Sequence, residues 1–187
     1  MLTIFRVTDT ETRLQTTPAP MAASQVSALY NHLLDNGIAT DLELGEREGI
    51  AFNFKFNANA VSLAVFARLF AGYDQLLAIA EEAQFHGRSL RLSKADAPHF
   101  VTLSVSDHIA ISPELLMSVS RAHAVLRCLC LDPEVASDVT LDQLRAALRL
   151  PSTYRAFVDG NLEAAFDYLA RICALEHGNT APKLAWA

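Results

Sequence analysis

The amino-acid sequence predicts an α+β fold: a mainly antiparallel sheet of two hairpins plus an N-terminal strand, covered by helices, with an all-helical C-terminal third. Three observations carry this. Ile50, Phe52, Phe54 and Phe56 alternate with Ala51, Asn53 and Lys55, the two-residue period of a strand with one apolar face. Val26, Leu29, Tyr30, Leu33 and Leu34 recur at the spacing of a helix stripe. Beyond Ser112, helix-start signals follow one another without intervening strand patterns.

Taken in order, Leu2, Ile4 and Val7 in a β-prone run give an opening strand, and Thr8 to Pro20 reads as a loop. The amphipathic helix spans Met21 to Asn36 and stops at Gly37, a residue that adopts the left-handed cap without strain. Ile38 to Leu44 and Gly49 to Phe56 flank the polar turn Gly45-Glu46-Arg47-Glu48 as a first hairpin. A long apolar helix, Val61 to Phe85, supplies the layer over its phenylalanine face, with Gly72 as a place to kink or divide it. A second hairpin pairs Arg88 to Ser93 with Phe100 to Ser106. Ser112-Pro113-Glu114 then offers an N-cap, a first-turn proline and a first-turn acid, opening a helix to about Leu131. Thr140 and Gln143 match a capping box, so a helix runs on to about Arg149. Ser152 to Val158 and Leu162 to His177 are two more helices, and Asn179 to Ala187 reads as a tail. The layout fits one domain over residues 1–187, with a helical subdomain over 133–178 as the one internal division suggested.

Composition narrows the function classes. With 51% hydrophobic residues and 19% charged residues, the chain can bury a core and is not compositionally disordered. Its net charge of −6 opposes loose association with nucleic acid or anionic lipid and favours a basic protein partner. Arg68 and Asp74 interrupt the most apolar stretch, so no membrane span is expected, and the N-terminus carries no pattern of an export signal. Three cysteines, Cys128, Cys130 and Cys173, cannot all pair within one chain, which fits a reducing, cytoplasmic compartment. Only three lysines among many arginines, with abundant Ala and Leu, resembles the coding bias of a GC-rich bacterium.

Motifs for chemistry are sparse. The seven glycines are isolated, so neither a P-loop nor a dinucleotide fingerprint is present, and no cofactor is called for. His123, Cys128 and Cys130 are the nearest thing to a metal cluster, but on one helix Cys128 falls off the face that the other two share. His99, Asp107 and His108 form a second group, read more simply as exposed turn residues. Glu81 and Glu82 are adjacent acids of the kind usually solvated on a helix surface. No catalytic or metal-ligating set is therefore named, and an enzyme is the less favoured class, open only to residues that meet in the fold.

Two candidate surfaces remain. Asp41, Glu43, Glu46 and Glu48 crowd like charges on the first hairpin, a partner-binding edge for a cationic protein or, more simply, an edge protected against pairing. The segment Leu144 to Gly160, within 141–160, resembles a helix-turn-helix unit of the repressor type. That resemblance implies packing by Ala147, Leu148, Leu150, Tyr154 and Phe157, with Ser152, Thr153 and Arg155 facing DNA. It departs from the pattern at Arg149, where a turn glycine is usual, and in its acidic surroundings. The leading expectation is a cytoplasmic protein-interaction module that binds and masks or inhibits a basic partner, like an immunity protein or a secretion chaperone in size and layout; a DNA-binding regulator is the alternative, and a homodimer is compatible with either.

Overall fold

The computed structural model describes residues 2–35, 52–54, 60–94, 101–134, 137–175 and 181–186. The architecture is α+β with antiparallel strand pairing throughout the described residues. The chain divides into two compact units, one formed by residues 1–12 and 112–187 and the other by residues 13–111. The divisions fall after Thr12 and after Ile111, and residues 133–178 lie within the first unit.

The second unit contains β2 (Ala19–Met21), α1 (Ala23–Asp35), β3 (Phe52–Phe54), α2 (Ala60–Leu69), α3 (Asp74–Phe85), β4 (Arg88–Lys94) and β5 (Val101–Ile109). β4 and β5 form the predicted second hairpin, with Leu90 opposite Val105 and Leu92 opposite Leu103. β3 adds to the other edge of β4 through Phe52↔Leu92 and Phe54↔Leu90, and β2 pairs with β5. The rest of the predicted first hairpin, 38–51 and 55–56, lies outside the described residues. Leu90, Leu92, Leu103 and Val105 pack with Leu29, Leu33, Phe66, Phe70, Leu76 and Ile79 in one buried cluster, the helical layer that an apolar strand face requires. The single helix expected from Val61 to Phe85 is two helices, divided at Gly72, whose φ of +84° only a residue without Cβ adopts cheaply.

The loop that opens this unit, residues 13–18, is held by one carboxylate. Glu82 of α3 accepts from the backbone N–H groups of Gln15 and Thr16 and from the Thr16 hydroxyl. Burial alone would raise its pKa, but these hydrogen bonds and nearby His86 outweigh it, so the carboxyl titrates below its ordinary value. Glu82 is thus a structural anchor rather than the solvated acid expected.

The first unit contains β1 (Leu2–Thr8), β6 (Leu115–Ser118), α4 (Val119–Cys128), β7 (Asp138–Thr140), α5 (Leu141–Leu148), α6 (Pro151–Asp159), α7 (Glu163–Ala174) and β8 (Lys183–Trp186). Phe5 and Val7 are buried while Leu2 is exposed, the alternation that the pleat imposes on β1. β1 pairs with β6 over Leu2 to Phe5 and with β8 over Phe5 to Thr8. β8 also pairs with β7, so Leu184 lies opposite both Val7 and Val139.

Two expectations are corrected here. The helix expected from Ser112 begins only at Val119; Leu115 to Ser118 are strand, because hydrogen bonding to β1 outweighs a local start signal. Ser118 takes the capping role, accepting from Arg121 N–H, while the buried Ser112 hydroxyl finds no hydrogen-bond partner among the described residues. The presumed tail holds β8, and β7 interrupts the C-terminal third, so that third is not all helical. A strand of four residues holds only two repeats of the two-residue alternation, too few to stand out from loop sequence, and its pairing partners lie far away in sequence.

Candidate functional site on the C-terminal helices

Local signals set α5 and α6 in place. The Thr140 hydroxyl accepts from Gln143 N–H while the Gln143 side chain returns to Thr140 N–H, the reciprocal capping box the sequence predicts. Arg149 and Leu150 make the turn, and Pro151 opens α6 where its missing N–H costs nothing. Asn161, at φ 51°, redirects the chain into α7. Leu141, Leu144, Phe157, Leu162, Leu169 and Ile172 fill the space beneath. Phe166 meets Tyr154 edge-on at 5.1 Å and Phe157 at 5.4 Å between ring centres, an arrangement that suits the quadrupoles of the rings.

On α6 the three residues read as facing DNA separate. Ser152 and Arg155 are exposed, but Thr153 is only 6% exposed and turned inward, on the same side as Phe157. Of the residues the helix-turn-helix resemblance assigns to packing, Phe157 is buried and Ala147 and Leu148 are half-buried, whereas Leu150 and Tyr154 are exposed. Tyr154 and Val158 stand 50% and 37% exposed one turn apart on α6, and Leu150, the N-cap just before the helix, is 53% exposed. Arg149, the C-cap of α5, and Asp159, the last residue of α6, are both exposed. Arg145 is committed elsewhere, pairing with Asp142 at 2.7 Å and donating to the carbonyl of Cys173 at 2.9 Å.

The other candidates place as follows. Asp41, Glu43, Glu46 and Glu48 lie outside the described residues, as does His99. No group of three His, Cys, Asp or Glu residues converges on a common point among the described residues. Burial, and then the neighbouring Cys130, raises the Cys128 thiol; burial, partly offset by Arg145, raises that of Cys173. Both are poor nucleophiles for that reason. His108 is not an exposed turn residue: it lies buried on β5 with Nδ1 3.1 Å from the Ser89 hydroxyl, beside buried Arg88 and Ser106. A Ser–His pair has the elements of nucleophilic catalysis, yet Ser89 is fully buried, so a substrate has no route to its oxygen. Spacing along the chain does not reveal this pair, because its members are far apart and sit in ordinary strand patterns.

No family model, curated protein or solved structure proved similar to the chain. Among the described residues no helix is long and apolar enough to cross a membrane.

Proposed function

We propose that this chain is a cytoplasmic protein-interaction module that binds and masks or inhibits a basic protein partner. The exposed apolar residues at α6 are the observation that supports it: Tyr154 and Val158 on the helix and Leu150 at its N-cap, held outward, suit the dehydrated centre of a protein interface. A DNA-reading helix would instead present cations and polar groups, and with Thr153 inward α6 offers Arg155 and Ser152. The net charge of −6 supplies long-range attraction for a cationic partner, with Asp41, Glu43, Glu46 and Glu48 as the acidic contact. The comparison with immunity proteins and secretion chaperones is one of size, charge and layout only.

The test is capture from lysate of the source cell by the immobilised chain. Arg- and Lys-rich proteins are expected to bind, to be released as ionic strength rises, and to be lost with Glu46→Lys combined with Glu48→Lys. Retention of the same proteins by that double variant, or capture of nucleic acid alone, overturns the reading.

A further inference from the structure

We infer that the outer face of the α6–α7 pair docks an amphipathic helix of the basic partner, with the apolar stripe of that helix on Tyr154 and Phe166 and its cations on Glu163 and Asp167 of α7. The inference rests on the partner-binding reading proposed above, and names the kind of segment bound and the acids that select it.

Residues 160–162 join the two helices, which pack through Phe166 against Tyr154 and Phe157. At about 100° per residue, Thr153 and Phe157 fall on one side of Tyr154, and Ala165, Leu169 and Ile172 fall on the matching side of Phe166. All five are buried. The side turned away from them is built alike on both helices. Val158 stands about 40° round from Tyr154 and Arg155 about 100°, while Ala170 stands about 40° round from Phe166, Glu163 about 60° and Asp167 about 100°. These outer residues are all exposed. The two aromatic rings, Val158 and Ala170 therefore form an apolar floor, bordered by a cation on α6 and by two acids on α7.

The acids say which partner fits. Glu163 and Asp167 are four residues apart on one side of α7, a spacing at which like charges repel. The N-terminal end of α7 offsets Glu163, but Asp167 lies beyond the first turn. Neither makes a hydrogen bond or ion pair among the described residues, and Arg171, four residues past Asp167, sits over the Tyr168 ring at 5.3 Å. A cation from outside relieves both acids at the edge of the apolar floor. Helices leave no unpaired backbone N–H or C=O along their sides, so this face does not extend a sheet, whereas the furrow between two packed helices accepts the side-chain ridge of a third. The small Ala170 lets that third helix approach closely. The phosphates of DNA would meet Glu163 and Asp167 as like charges.

α7 is about 18 Å long at 1.5 Å per residue, so a helix of about 12 residues spans it. The probe is a fluorescein-labelled peptide of about 15 residues, with leucines at three- and four-residue spacing and lysines along one flank. Anisotropy titration with the full chain should give a dissociation constant on the order of 10–100 μM, and the same residues reordered so that leucine and lysine alternate should bind at least about tenfold more weakly. Glu163→Gln combined with Asp167→Asn should weaken binding about fivefold, and Ala170→Arg at least about tenfold, with unchanged circular dichroism to show that the fold is kept. Asp35→Asn combined with Glu81→Gln makes the same change of net charge at exposed sites of the other unit, and should leave affinity within about twofold.

No binding of the peptide at about 1 mM chain overturns the inference. So does equal binding of the reordered peptide, equal weakening by the Asp35 and Glu81 changes, or indifference to Ala170→Arg. A dimer of the chain alone that Ala170→Arg dissociates gives the face to a second copy, and overturns it as well. Capture of basic proteins from lysate that survives Ala170→Arg removes this site while leaving the basic-partner reading in place; failure of both capture and peptide binding removes both.

Discussion

Replacing Leu184 by Ala examines the least expected element, the C-terminal strand. Leu184 is fully buried on β8, opposite Val7 on one side and Val139 on the other. The change deletes three carbons, about 2.4 kcal/mol at roughly 0.8 kcal/mol per buried methylene. Incomplete collapse of the space left behind adds a cavity contribution, giving about 3–4 kcal/mol in all, inside the range of roughly 2–5 measured for buried leucines. Trp186 is the one tryptophan of the sequence, and its ring lies 6.1 Å from that of Phe5, so its fluorescence reports the packing of β8 on β1. In urea, with a slope of about 1–3 kcal/mol per M, the fluorescence midpoint should fall by about 1–4 M. Lys183→Ala is the control: its 3.5 Å pairing with Asp138 is partly exposed and worth roughly 0–1 kcal/mol, so the midpoint should move little. A Leu184→Ala midpoint within about 0.3 M of the parent, at an unchanged slope, would refute the placement of this strand.

Three further outcomes follow from other parts of the structure. Because the Glu82 carboxyl titrates lower in the folded chain than in the unfolded one, its contribution is present in full above its ordinary pKa near 4.5 and is lost as pH falls through the lowered value. Glu82→Gln should flatten the dependence of stability on pH below about 5, measured by urea midpoints, and should increase proteolysis between Arg13 and Pro18 at neutral pH. An unchanged acid limb would remove Glu82 as the anchor of that loop. Thr140→Ala should cost about 1 kcal/mol and Thr140→Ser much less, since only the hydroxyl caps α5; equal losses from both in thermal melts would show that the methyl group matters instead. Cys130 is exposed, whereas Cys128 and Cys173 are partly buried with raised pKa values, so iodoacetamide at pH 7.5 should label Cys130 first by peptide mapping. Equal rates at all three would contradict the burial pattern.

Features that depend on near neighbours are legible from spacing along the chain. The stripe of Val26, Leu29 and Leu33, the Thr140–Gln143 box, the Pro151 start and the β4–β5 hairpin each involve residues close along the chain, so spacing alone encodes them. α6 was legible as a helix, but which of its sides is free was not: Thr153 inward and Leu150 outward depend on where Phe157 and Phe166 pack. Long-range pairing makes Leu115 to Ser118 a strand rather than a helix turn, brings Lys183 to Trp186 back to join β1 with β7, and sets Ser89 against His108. Each of those outcomes turns on a hydrogen bond or a buried contact between residues distant in sequence, whose free energy outweighs local preference by amounts that no window of neighbours contains.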